Sequence, residues 1–226
     1  MDQKLRRKAF AGLALLPLTV GGVLFVSAGS LNYWEGWLFL VVFSAAATLS
    51  TLKLMKNDPA LLERRMRSGP TAEKSTAQRI IMSCVTVFFT AIPIVSGVDH
   101  RLAWSHLPMG AVLAGDSMIV LGFVVFDLVF RENSFASATI EISEGHKVIS
   151  TGPYSLIRHP MYSGGLVFLL GIPIALGSWW ALLIFIPLLP VLIWRLIDEE
   201  KFLHKNLEGY TQYCAKVKYR LIPWLY

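Results

Sequence analysis

Two groups of residues in this chain are equipped for chemistry. The first is Gly152-Pro153-Tyr154-Ser155-Leu156-Ile157-Arg158-His159-Pro160-Met161-Tyr162, an Arg-His pair and two tyrosines set directly before a long apolar segment. The second is Arg195, Asp198, Glu199 and Glu200, which close the next apolar run. Such side chains are costly beside lipid unless they meet a ligand, a partner or water, so a dense set at a helix entrance marks a candidate site. Pro160 suits the first turn of a helix, where its missing N–H costs nothing, with His159 or Arg158 at the cap. The free backbone N–H groups of that turn favour an anion. Arg195 and Glu199 are four apart and share a helix face. As an intrahelical ion pair they contribute only a few tenths of a kcal/mol. As a site for a zwitterion, with ammonium to Glu and carboxylate to Arg, the same residues do more. Plainer roles stay open: Arg158 as an interfacial anchor, Tyr154 and Tyr162 as interfacial aromatics, and Gly164, Gly165 and Gly171 as packing or as room for a flat ligand.

The elements that must hold these groups are membrane spans. A chain of 226 residues that is 54% hydrophobic and 16% charged, with a mean hydropathy of +0.55, has the composition of a polytopic membrane protein with one integral domain. Six apolar stretches approach the roughly 20 residues a span needs: 9–29, 34–55, 79–98, 108–130, 161–176 and 178–197. Gly177-Ser178 is a turn signal with no polar loop around it, so the last two read as a tight helical hairpin. The first stretch follows Lys4, Arg6, Arg7 and Lys8 and reads as a retained helix rather than a cleaved signal. The expected fold is therefore all-α and integral to the membrane. Residues 1–130 form a bundle of four spans with an interfacial linker near 56–78, and 131–226 form a catalytic region whose C-terminal helix closes the site.

Charge sets the expected orientation. The N-terminal cluster and the linker with Lys53, Lys56, Arg64, Arg65, Arg67, Lys74 and Arg79 lie two spans apart and share one side, the cytoplasm by the positive-inside rule. Six spans return segment 131–160 and the tail to that side, so the candidate groups and both termini are expected to be cytoplasmic. The formal charge of +6 is explained by anionic lipid, not nucleic acid. Two cysteines support neither a disulfide framework nor a Cys metal site, and no Gly-rich phosphate loop or His-Glu-x-x-His spacing occurs. The alternating strands and helices of a soluble methyltransferase cannot be built from these spans.

Gly145-His146-Lys147-Val148-Ile149-Ser150-Thr151-Gly152-Pro153-Tyr154, then Arg158-His159-Pro160-x-Tyr162, Arg195-x-x-x-Glu199-Glu200 and a tail with Tyr210, Tyr213, Arg220 and Pro223 occur in order. Together they resemble the isoprenylcysteine carboxyl methyltransferase family, which belongs with the phospholipid methyltransferases. The resemblance covers roughly residues 130–226. It implies S-adenosylmethionine as cofactor. His146, Lys147, Val148, Ile149, Tyr154, His159, Pro160, Met161, Tyr162 and Glu199 would line it, with Glu199 at its ammonium. Arg195 would face the acceptor's carboxylate, Arg158 would orient either carboxylate, and Glu200 matches the family's paired acid. The segment Arg131-Glu132-Asn133-Ser134-Phe135 and Thr139 depart from eukaryotic relatives.

The implied reaction is attack of a carboxylate oxygen on a sulfonium methyl, which needs alignment and dryness but no general base. A groove between helices would admit a lipophilic acceptor while the cofactor arrives from the cytosol. An amine acceptor, as in phospholipid N-methylation, would instead need deprotonation, giving Glu200 or His159 a base role. A sterol reductase using NADPH and a non-enzymatic membrane subunit are the remaining alternatives.

Overall fold

The computed structural model describes residues 2–223 and 225, and among them the regular structure is entirely helical. Five helices are long and apolar enough to cross a membrane: α1 (Gln3–Ala28), α2 (Trp34–Asn57), α4 (Thr76–Leu102), α5 (Met109–Glu132) and the run Trp179–Asn206. The last comprises a single turn, α7 (Trp179–Leu182), and α8 (Phe185–Asn206). Its break falls where Pro187 can neither donate a hydrogen bond nor tolerate the carbonyl four residues back. The sixth apolar element, α6 (Pro160–Ala175), has 16 residues, about 24 Å at 1.5 Å per residue. Between α2 and α4 lies α3 (Pro59–Met66), capped by Asp58, whose Oδ1 accepts from the Leu61 N–H at 2.8 Å. Its apolar face does not float on lipid. Leu61 and Leu62 are buried with Ala9, Leu54, Val129 and Ala136, inside the protein's own bundle.

Glycine sets the closest helix contact. A Cβ on Gly115 would lie 2.3 Å from the Ala175 backbone nitrogen, and one on Gly171 would lie 2.8 Å from the Gly115 carbonyl oxygen. Gly122 and Gly164 continue the seam against Phe168 and Val125. Small residues let α5 and α6 pack backbone to backbone where no hydrophobic drive exists between helices in lipid. The connection from α6 to α7 is tight, as expected, with Gly177 at φ +68°. Beyond it the two arms take different partners: α6 packs chiefly on α5, whereas α7 and α8 pack on α4.

The turn reaches the far end of the bundle. There the Tyr33 hydroxyl donates to the Leu176 carbonyl at 2.5 Å, the Ser178 hydroxyl donates to Asp99, and the Trp179 N–H donates to Ser105 Oγ at 3.1 Å. Loops near 33, 99–105 and 176–179 thus meet at one end. The linker 58–75, the segment 133–159 and the tail after α8 meet at the other.

Candidate active site

At that second end, a cavity of about 400 Å³ opens among α3, α4, α5, α6, α8, the 133–149 segment and α9 (Tyr210–Lys216). Its volume lies within the roughly 300–1,000 Å³ of small-molecule sites. Arg158, His146, Lys147, Val148, Ile149, Tyr154, His159, Pro160, Met161, Tyr162, Arg195 and Glu199 all line it. Three stretches far apart in sequence therefore converge on one volume. Glu200 is the exception and lies behind the wall.

Helix register grades the lining from polar to apolar. On α8 the lining residues are Leu203, Glu199, Arg195 and Leu192, about one turn apart; on α6 they include Tyr162, Gly165 and Leu169; on α4, Met82 and Val85. Tyr162, Arg195 and Glu199 are the polar groups of this set and lie toward the bundle end, while Gly165, Leu169 and Leu192 lie deeper and α4 adds only apolar Met82 and Val85, so the cavity has a polar chamber and an apolar arm between α4, α6 and α8. Gly164 faces α5, while Gly165 has no neighbour within 4 Å of an added Cβ and leaves the arm open.

Arg195 is already engaged. Its Nη1 donates to Gln78 Oε1 at 2.7 Å, its Nη2 donates to the Ala138 carbonyl at 2.9 Å, and Glu73 Oε1 makes an ion-pair contact at 2.9 Å. Gln78 passes the chain on, donating through Nε2 to Asp198 Oδ2 at 2.5 Å. Glu73 and Gln78 are buried. Glu199 is freer: Oε2 accepts from the Tyr162 hydroxyl at 2.6 Å, and the carboxylate borders the cavity. Glu200 is a buried hub, with Oε1 3.1 Å from His159 Nε2 and 3.3 Å from Arg158 Nε, and Oε2 accepting from Arg220 Nε at 2.9 Å. It fixes the start of α6 to the tail. The tail is strapped there by backbone as well, since Arg158 N–H donates to the Tyr219 carbonyl and His159 N–H to the Arg220 carbonyl, both at 2.9 Å.

On the opposite wall, the His146 ring stacks on Phe135 with centroids 4.6 Å apart. Burial, aided by the positive Arg64, holds this imidazole below its ordinary pKa and so neutral. The Tyr154 hydroxyl accepts from Asn133 Nδ2 at 2.9 Å, and burial raises its phenol to about 12. Tyr213 donates to the Tyr154 carbonyl at 2.7 Å, closing α9 over the chamber. His146 Nδ1 and the Tyr210 hydroxyl, both on cavity-lining residues, are among the buried polar atoms that have no hydrogen-bond partner among the described residues. Buried polar atoms are normally satisfied, so two left without partners beside a cavity are consistent with a ligand there.

Several residues here carried no signal of their own in the sequence. Arg65, on α3, lines the cavity with Met82, Val85, Phe126 and Leu192, while Glu73 and Gln78 stand behind Arg195. A span reading treats such positions as linker or generic helix.

Fold and cavity together define an all-α integral membrane protein with a binding chamber at one end of its bundle. A family model described as phospholipid methyltransferase matches residues 111–209, which include most of the cavity wall. That match supports a membrane methyltransferase. A Delta(14)-sterol reductase of Mus musculus is 29% identical over 136 residues, 53% of this chain and 32% of the relative. The chain therefore spans about a third of the length of that curated relative.

Proposed function

We propose that this protein is an S-adenosylmethionine-dependent methyltransferase that esterifies the carboxylate of an isoprenylcysteine-like lipophilic acceptor. The observation that carries the reading is the graded cavity, a polar chamber of small-molecule size continuous with an apolar arm between helices. The chamber fits the cofactor on four counts. Glu199 offers a carboxylate to an ammonium, a charge-assisted contact. The flat Phe135–His146 pair offers a face to a purine. The orphaned His146 Nδ1 and Tyr210 hydroxyl offer hydrogen bonds to its polar rim. Lys147 and Arg158 supply positive charge for its carboxylate.

Bound there, S-adenosylmethionine supplies an electrophilic methyl group. The chain's own residues align the acceptor and exclude water. An acceptor carboxylate is ionised at neutral pH, so methyl transfer to its oxygen moves no proton and asks for no general base. Glu200 then has a positioning role, holding Arg158, His159 and Arg220 in place. Arg195, pinned by Glu73, Gln78 and the Ala138 carbonyl, keeps a fixed positive edge on the chamber. Both termini and the chamber face the cytoplasm in this reading, in accord with the Lys/Arg bias of that end.

A second reading, N-methylation of a phospholipid amine, draws support from the family match over residues 111–209. An amine must lose a proton, so its rate should climb with pH whereas a carboxylate's should stay flat. The likeness to a sterol reductase brings NADPH into the comparison. Calorimetric titration of the purified protein with S-adenosylmethionine, S-adenosylhomocysteine and NADPH separates the classes. Binding of the first two alone is expected. Binding of NADPH alone would overturn the reading. Transfer of labelled methyl to a prenylcysteine and to phosphatidylethanolamine then separates the acceptors.

A further inference from the structure

Charge accounting around the cavity singles out one cation. Arg195 faces Glu73, Arg158 faces Glu200, and Lys147 is exposed to solvent. Arg65 has no carboxylate partner among the described residues. Its Nη1 donates to the Ser137 carbonyl at 3.2 Å and to Met161 Sδ at 3.3 Å, and its Cζ lies 5.1 Å from the centre of the Phe130 ring. Nε and Nη2 have no partner among the described residues. A half-buried guanidinium without an anion is costly, because its partial desolvation is not offset. Burial, with Arg195 nearby, accordingly draws Arg65 down to about 10. It nevertheless remains charged at neutral pH.

Its place in the cavity is informative. Phe130, under the guanidinium, stacks with Phe126 one turn away, ring centroids 6.5 Å apart, and Phe126 lines the cavity. Met161, which Arg65 touches, lies in the first turn of α6, four positions and so about one turn before Gly165, which leaves the arm open. Arg65 thus stands where the arm meets the chamber, which is where the head group of a lipid lying in the arm must sit.

We infer that Arg65 receives the anionic oxygens of the acceptor's head group, as a carboxylate or as a phosphodiester. The inference rests on the methyl-transfer reading of this cavity. The fork of a guanidinium matches either anion with paired N–H donors. The two sources have different consequences. Methylation of a carboxylate makes a neutral ester, so Arg65 loses its partner and the product is released; a phosphodiester keeps its charge throughout.

The test compares parent, Arg65→Met and Arg65→Lys by calorimetry in detergent, with S-adenosylhomocysteine, an N-acetyl prenylcysteine, its methyl ester and phosphatidylethanolamine as separate probes. The parent is expected to bind the acid at least tenfold tighter than the ester. Arg65→Met should erase that preference, leave ester binding unchanged and keep S-adenosylhomocysteine affinity within about twofold. Arg65→Lys should retain part of the preference. Loss of phosphatidylethanolamine affinity with no acid preference in the parent identifies the phosphodiester as the source. An unchanged acceptor profile in Arg65→Met, or an equal loss of S-adenosylhomocysteine, overturns the inference. If the parent binds no S-adenosylhomocysteine yet shows an Arg65-dependent acid preference, the methyl-transfer reading falls and Arg65's role stands.

Discussion

Arg195 and Glu73 show how the site is held at the scale of single residues. An arginine at a membrane edge is tolerated here because a buried carboxylate, an amide and a carbonyl meet it. Removing one partner of such a pair leaves an uncompensated charge, at a cost of about 3–5 kcal/mol. Glu73→Gln should therefore lower the Tm in detergent clearly and cut methyl transfer tenfold or more. The double variant Glu73→Gln with Arg195→Gln should recover much of the Tm but none of the activity. Additive losses in that cycle would show the pair to be uncoupled. Glu199→Gln separates binding from folding: its lost charge-assisted contact, roughly 1.5–3 kcal/mol, should weaken S-adenosylhomocysteine about tenfold with little change in Tm. His146 carries the pH dependence. Its folded pKa lies below the ordinary 6.5, so the unfolded chain takes up protons first and stability rises with pH. The contribution of neutral His146 is complete above about pH 6.5 and is lost as pH falls through the depressed folded value. Thermal melts from pH 8 to 5 should show this acid-side slope, and His146→Gln should flatten it.

The elements differ in how far the sequence declares them. Long apolar stretches bounded by charge make the spans readable, and the Asp58-Pro59 and His159-Pro160 starts are local chemistry that folds as it reads. The end of α8 was less legible. The apolar run ends near 197 and Arg195 and Glu199 share a helix face as expected, but how far the helix continues, to Asn206, carries no sharp stop signal, because Glu, Lys and Leu are good helix formers whatever the solvent. Cavity residues 145–162 and 195–199 are recoverable because they cluster. Glu73, Gln78 and Arg65 are not, since Gln78 meets Arg195 across 117 positions and Arg65 looks like its neighbours Arg64 and Arg67 until the fold buries it. Glycine spacing was readable only as an option. Gly164 and Gly165 are adjacent, but the first packs on α5 and the second opens the arm. Gly115→Ala, driving a Cβ into the Ala175 backbone, should destabilise by about 1–3 kcal/mol, as overpacking does. Gly165→Leu should melt like the parent while raising the acceptor KM severalfold. If Gly165→Leu leaves the acceptor KM unchanged, the arm does not hold the acceptor.

For the molecule as a whole, the arrangement of ends is a constraint on topology. The linker after α2, the segment after α5 and the tail after α8 supply one chamber, and chain segments can meet that way only if an even number of crossings separates each from the next. The passage through α4 and α5 satisfies this, and so does the passage through α6 and α8, because the Gly177 turn sits with the loops of the opposite end. The chamber end also carries Lys53, Lys56, Arg64, Arg67, Lys74 and Arg79, whereas the far end shows mainly Glu35, Asp99 and Arg101. Because positive charge is retained on the cytoplasmic side, this bias predicts that the chamber end faces the cytoplasm. In a background with Cys84 and Cys214 replaced by serine, single cysteines at Ser30, Arg67 and Lys218 read this directly. A membrane-impermeant maleimide added to intact cells should label Ser30→Cys at once, and Arg67→Cys and Lys218→Cys only after permeabilisation. Labelling of Lys218→Cys from outside, with Arg67→Cys protected, would mean that α6 and α8 do not return the chain together. The tail could then not close the chamber that Glu200 and Tyr213 bind it to.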